Sequence, residues 1–192
     1  MKRLLAVFPA AVLPLLTTLT PGLASAQTSF SPNTSMVAKP VEPTAVERVQ
    51  QLVRSGQRDK ALAEADTALA TNPKNAQLRF VRAVLLADLG RSAEAKASFE
   101  QLIQDYPELP EPYNNLAAII AGEGRLAQAE QLLKAALDAN PSFATAHENL
   151  GDLYLRLAAD AYAKATQLAP TNRAAAAKLK QVRELAARTT AR

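Results

Sequence analysis

Residues 73–107 read PKNAQLRFVRAVLLADLGRSAEAKASFEQLIQDYP, and residues 107–141 read PELPEPYNNLAAIIAGEGRLAQAEQLLKAALDANP. Laid over one another, the two stretches share a proline at each end, a glycine 17 residues in and an alanine 22 residues in. One step upstream, Gly56, Ala61 and Pro73 fall in the same register, so Gly56/Gly90/Gly124, Ala61/Ala95/Ala129 and Pro73/Pro107/Pro141 are three triples spaced by 34. Ala68 is answered by Ala136 two periods later. A fixed period of this length means a stack of like units, each of which buries its apolar face only against its neighbours.

Each residue has a physical task within the unit. Glycine ends a first helix where the backbone turns back. The alanine sits where two helices approach closely and a larger side chain would push them apart. Proline stops the second helix, and Asn72-Pro73 and Asn140-Pro141 are strong turn dipeptides. The spacing predicts helices at 44–55, 60–71, 76–89, 93–105, 110–122 and 126–139. Leu62, Ala65 and Leu69, then Leu85, Leu86 and Leu89, then Leu132, Leu133 and Ala136 supply the inward faces.

Composition agrees. Of 192 residues 41 are alanine, the best helix former, while only 6 are glycine and 5% are aromatic. There is no cysteine and a single histidine, His147, which excludes thiol catalysis, disulfide scaffolds and Cys/His zinc sites. Six glycines leave little room for phosphate-cradling loops. His147 reads as a packing residue, and acidic pairs such as Asp88/Glu94 and Glu148/Asp152 are what any helical surface offers. No catalytic residue, cofactor or metal is expected.

The ends of the chain carry separate signals. Lys2 and Arg3 precede an apolar run from Leu4 to Leu16, and Ala24-Ser25-Ala26 places small residues before a cut after Ala26. This is the pattern of a secretory signal peptide over 1–26. Pro9 and Pro14 interrupt the run, which is shorter than the ~20 residues of a spanning helix. The absence of cysteine rules out lipid attachment after export. Losing Lys2 and Arg3 but no acid lowers the formal charge from +4 to +2. Residues 27–43, QTSFSPNTSMVAKPVEP, have no apolar period and read as a linker. The expected location is outside the cytoplasm, in a periplasm.

The 34-residue register resembles the tetratricopeptide repeat family from about Pro43 to Arg188. Leu150, Gly151 and Tyr154 match that family's first-helix Leu-Gly-x-x-Tyr, and Phe99 its bulky second-helix residue. Ala45, Arg79, Tyr113 and His147 stand where the family usually has tryptophan. The resemblance implies an all-α fold, an α-solenoid of about three and a half helix-turn-helix repeats (42–75, 76–109, 110–143 and a shortened 144–172) with a capping helix over 171–188. If Ala144 opens a repeat, its closing proline belongs at 175; Pro170 closes it five residues early, and the missing residues are those of the inter-helix turn. Segment 144–169 is therefore expected to run as one long helix, with a cramped turn near Arg156 to Ala159 as the alternative. The cap should turn Leu179, Val182 and either Leu185 or Ala186 inward. An exposed extended helix could also serve as a dimerisation surface.

The resemblance further implies a right-handed superhelix whose first helices line a concave groove, the family's usual ligand surface. Carried over residue by residue, that groove comprises Gln50, Val53 and Arg54, then Phe80, Val84 and Asp88, then Asn114, Asn115 and Ala118, then Glu148, Asn149 and Asp152. Asn115 and Asn149 are 34 apart. Asparagines so placed can pair with the backbone of an extended peptide, or each can bond within its own or a neighbouring helix. The Lys/Arg clamp that chaperone-binding relatives close on a C-terminal carboxylate is absent, since Val46, Gln50, Val81, Glu111 and Asn115 occupy the matching places. The expected function is an exported, non-enzymatic scaffold that holds a peptide or partner subunit in its groove. The alternative is a cell-envelope assembly or structural factor. There the C-terminal helix, in a stretch 173–192 that carries Arg173, Lys178, Lys180, Arg183, Arg188 and Arg192 against Glu184 alone, would contact an anionic surface. Nucleic acid is not expected as a partner.

Overall fold

A computed structural model describes residues 43–189, which form eight helices: α1 Ala45–Arg54, α2 Arg58–Thr71, α3 Ala76–Asp88, α4 Ser92–Asp105, α5 Pro110–Gly122, α6 Leu126–Ala139, α7 Ala144–Leu168 and α8 Arg173–Thr189. The expected signal peptide and nearly all of the linker lie outside the described residues. The first six helices fall within two residues of the expected bounds, and no strand occurs among the described residues.

The chain enters α1 through a capping box. The Thr44 hydroxyl accepts from the Glu47 backbone N–H at 3.2 Å, and the Thr44 N–H donates to the Glu47 carboxylate at 2.7 Å. Two N–H groups that α1 cannot satisfy itself are thereby bonded.

The three register glycines all end a first helix in the same way. Their φ values are +74° at Gly56, +77° at Gly90 and +83° at Gly124, a region that costs any residue with a Cβ. At Gly56 the glycine N–H bonds the Val53 carbonyl at 3.0 Å, and the next N–H, of Gln57, reaches back to Leu52 at 2.9 Å. Gly90 and Gly124 repeat both bonds with Ala87/Leu86 and Ala121/Ile120. This is the six-to-one closure that satisfies the last carbonyls of a helix, and it turns α2, α4 and α6 back along α1, α3 and α5.

The second helices end at the prolines. Asn72, Tyr106, Asn140 and Ala169 all take φ between −134° and −145° with ψ of 66–98°, as the residue before proline is pushed out of the helical region. Each of the four carbonyls then accepts from the N–H three residues on, at 2.9–3.2 Å. Pro170 thus closes the fourth unit as the other prolines close theirs.

Packing is sequential, each helix lying on the next, with α5 also reaching α7. The register alanines Ala61, Ala95 and Ala129 are completely buried, and Phe99 is the largest fully buried side chain. The fourth unit has no internal turn. α7 runs unbroken for 25 residues, about 37 Å at 1.5 Å per residue. Arg156 Nη1 donates to the Ala121 carbonyl at 3.0 Å and so ties the middle of this helix to the end of α5, where a cation is favoured. α8 begins after Asn172, whose side chain caps the Ala175 N–H at 3.0 Å, and it turns Ala175, Leu179, Val182 and Ala186 inward. Leu185 stays 47% exposed, which decides the two expectations for that face in favour of Ala186.

Candidate functional site

Four of the residues expected on the groove, Gln50, Val84, Ala118 and Asp152, are spaced by 34. One stands on each of α1, α3, α5 and α7, and all four are half-buried. The residue before the first three, Val49, Ala83 and Ala117, is at most 1% exposed. One helical step therefore separates the packed seam from a half-exposed position, and the solenoid repeats that position once per unit.

The remaining candidates flank these rungs. Arg54 is exposed in the last turn of α1, Val53 is half-buried, and Glu148 is exposed on α7. Asp88 is exposed and lies 3.4 Å from Arg58 Nε of the preceding unit. Phe80 is half-buried, with its ring centroid 6.0 Å from that of Phe99, so it lies at the edge of the core. The row runs from a cation at α1, over Phe80, Val84 and Ala118, to the carboxylates of Glu148 and Asp152 at α7.

The asparagines behave differently from a free hydrogen-bonding ladder. Asn114 is 1% exposed and so is no part of an open surface. Its Oδ1 accepts from Asn149 Nδ2 at 2.7 Å, and its own Nδ2 has no acceptor. Asn115 turns onto its own helix and donates to the Glu111 carbonyl at 2.8 Å. Both members of the expected ladder thus spend an amide donor inside the chain, the second of the two arrangements open from sequence. His147, expected as a packing residue, is exposed and bonds through Nε2 to the Pro141 carbonyl at 3.0 Å.

One further feature was not singled out from sequence. Leu69 and Pro73 of one unit, Arg79 and Arg82 on α3, and Ala97, Ser98 and Gln101 on α4 line a depression of about 390 Å³. Both arginines are committed there, Arg79 to Asp105 at 2.7 Å and Arg82 to Asp66. The signal in the sequence was opposite charge on helices that the repeat makes neighbours. Among the described residues no group of three or more His, Cys, Asp or Glu side chains is placed to hold a metal ion. No described helix is long and apolar enough to cross a membrane.

Residues 46–110 and 121–173 match the tetratricopeptide repeat family. A stretch of 68 residues, 35% of the chain, is 43% identical to the TPR repeat-containing thioredoxin TTL4 of Arabidopsis thaliana, and covers only 10% of that protein's length. Among solved structures, the first TPR domain of the human RPAP3 protein superposes with a TM-score of 0.55 at 19% identity, over 59% of this chain and 90% of that one. The same similarity holds for that domain bound to the HSP90 peptide SRMEEVD. MamA of Desulfovibrio magneticus RS-1 gives a TM-score of 0.53 at 18% identity, covering 76% of this chain and 75% of that one.

Proposed function

Because the chain belongs to the tetratricopeptide repeat family, we propose that it is an exported, non-enzymatic scaffold that holds an extended segment of a protein partner along the row Gln50, Val84, Ala118 and Asp152. The observation that carries this reading is the half-exposure of all four rungs at one residue per repeat. A rigid solenoid presents such a row ready-made, so a partner segment loses its own freedom but the receptor loses little. The row has an apolar middle, with Arg54 at one end and Glu148 and Asp152 at the other. It therefore suits a segment with an apolar centre, an acidic side chain towards α1 and a basic one towards α7. Similar solved TPR domains are bound to an HSP90 peptide and an HSP70 peptide; the positions matching a carboxylate clamp here hold Val46, Gln50, Val81, Glu111 and Asn115, which directs the reading away from that class of ligand. Export rests on residues 1–26 and on the chemistry of their sequence.

The test is capture of the partner from the native envelope fraction, followed by titration with Val84→Arg, which fills the central rung with a charge, and with Arg54→Glu. Weakening of at least about tenfold, the size of one displaced apolar or charged contact, with helicity unchanged, is expected. Binding unaffected by both variants overturns the groove. Export is checked on the same preparation: the mature N-terminus should be Gln27, and recovery of the uncut chain in the cytoplasm overturns it.

A second reading rests on α8. Arg173, Lys178, Lys180, Arg183 and Arg188 are all exposed, and Glu184 lies 4.0 Å from Lys180. Each cation near an anionic surface contributes on the order of 1 kcal/mol. Co-sedimentation with anionic vesicles that vanishes in Arg183→Gln/Arg188→Gln supports it, and none in either form removes it.

A further inference from the structure

The face of α7 that the first three units bury is open. Val49, Ala83, Ala117 and Gly151 are spaced by 34, as are Leu52, Leu86, Ile120 and Tyr154. Val49, Ala83, Leu86, Ala117 and Ile120 are at most 1% exposed, because the second helix of the same unit folds back over them. In the fourth unit Tyr154 is 44% exposed, Gly151 is exposed, and a Cβ built on Gly151 would meet nothing within 4 Å.

The helix that should cover this face exists but cannot reach it. Counted back from the closing proline, Ala158, Tyr162 and Ala165 stand where Ala61/Ala65/Ala68, Ala95/Phe99/Leu102 and Ala129/Leu133/Ala136 stand in the first three units. Those nine are 0–9% exposed. The three in the fourth unit are only half-buried. With the turn missing, this second-helix surface continues in line with the first-helix surface along one rod. Neither half can fold onto the other.

A second copy of the rod, laid antiparallel, supplies each half with its lost counterpart. We infer that the chain forms a two-fold dimer in which the first half of α7 packs on the second half of its partner's α7, with the axis near Arg156. Exposed Gly151, Tyr154, Ala161 and Leu168 and half-buried Ala158 and Ala165 mark the seam. Their spacing is 3, 4, 3, 4 and 3 residues in chain order, the spacing of a two-helix seam. Leu168 is 74% exposed, so two of the three large apolar side chains standing out among the described residues lie on this line. Small residues let the rods approach closely, and the contact reproduces the antiparallel pairing that α1/α2, α3/α4 and α5/α6 already make. α8 lies along one flank of the second half, its Lys178 Nζ 5.7 Å from the Tyr162 ring centroid, and leaves Ala161 and Leu168 exposed. The arrangement is isologous and closes on itself.

Sedimentation of the mature chain, residues 27–192, should give twice the mass of a single copy. Gly151→Glu/Ala161→Glu, which sets carboxylates against one another across the axis, should return it to a monomer of unchanged helicity. The register is read by disulfide formation, since the chain has no cysteine of its own. Residues 151 and 161 of one rod are about 15 Å apart, too far for a bond that needs Cα atoms within about 7 Å. In the proposed register 151 of one copy faces 161 of the other. Gly151→Cys/Ala161→Cys should therefore cross-link into dimers on mild oxidation, at least about tenfold faster than Gly151→Cys alone, whose two thiols would be about 15 Å apart. A monomer at concentrations up to about 100 µM, a dimer that survives the double carboxylate, or equal cross-linking by the single and double variants overturns the inference.

Discussion

Asn149 Nδ2 donates to Asn114 Oδ1 at 2.7 Å across the boundary between the third and fourth units, while Asn114 Nδ2, buried beside it, has no acceptor. A buried polar group left without a partner costs about 1–3 kcal/mol, yet removing both members of such a pair can be nearly neutral. Asn149→Leu strips Asn114 of its one side-chain bond and should destabilise the chain by roughly 1–3 kcal/mol. Asn114→Leu/Asn149→Leu should recover most of that loss. Urea denaturation of the two single variants and the double closes a cycle in which the coupling is favourable. Additive losses would mean that the pair contributes nothing jointly.

Phe99 is 1% exposed, and Phe80, 6.0 Å away between ring centroids, is half-buried. Emptying a core position of this size costs about 3–5 kcal/mol through lost transfer energy and the cavity left behind. Phe99→Ala should therefore lower the denaturation midpoint severely. Phe80→Ala should cost roughly 1–2 kcal/mol, mostly lost apolar area, and should weaken partner binding as well if the ring lines the groove. The ranking of the two midpoints checks the first statement.

The family resemblance, and not the two residues themselves, set Phe99 at a packed second-helix place and Phe80 on an open first-helix one. What the 34-residue spacing did convey was backbone. It set Gly56, Gly90 and Gly124 as helix ends, and each takes the same positive φ and the same pair of closing bonds. The five residues missing before Pro170 conveyed the continuity of α7. Side-chain placement depends on a finer angle. Asn114 and Asn115 are adjacent and chemically identical, but one helical step of about 100° puts the first under Asn149 and the second on the carbonyl of Glu111. The ion pairs Arg58–Asp88 and Arg82–Asp66 join residues 30 and 16 apart, and they became visible only when the stack fixed which helices are neighbours.

Glycines of one chain should respond with opposite sign to the same substitution. Gly90 takes φ of +77°, so Gly90→Ala forces a Cβ into the left-handed region and should cost about 1–2 kcal/mol. Gly151 lies inside α7 with open space around its Cα. Gly151→Ala should stabilise the monomer by up to about 1 kcal/mol, the difference in helix propensity. Thermal denaturation of both variants at low concentration reads the two signs, and a loss at Gly151 would show that its backbone is held for another reason.

Acid should loosen the stack before it melts the helices. The Asp105 carboxyl is held below its ordinary value of 3.8, first by the hydrogen bond from Arg79 and then by one from Gln101. Glu123 is held below 4.5 by Arg125 and then by Lys96 of the preceding unit, and Glu130 by Lys134 and the Tyr154 hydroxyl. In each case the folded state favours the ionised form. The stabilisation is therefore complete above the ordinary carboxylate range and is lost as pH falls through the lowered values. Two of these bonds, Arg79–Asp105 and Tyr154–Glu130, join different helices, and Lys96–Glu123 joins α4 to the turn that follows α5, so their loss acts on packing. Denaturation midpoints should stay level from neutral pH down to about 5 and then fall. Asp105→Asn should be less stable at neutral pH and show a shallower acid decline. Added salt should flatten the profile of the parent chain, because these pairs are exposed and screened. An Asp105→Asn profile parallel to that of the parent would show that the Arg79 contact carries none of the acid dependence.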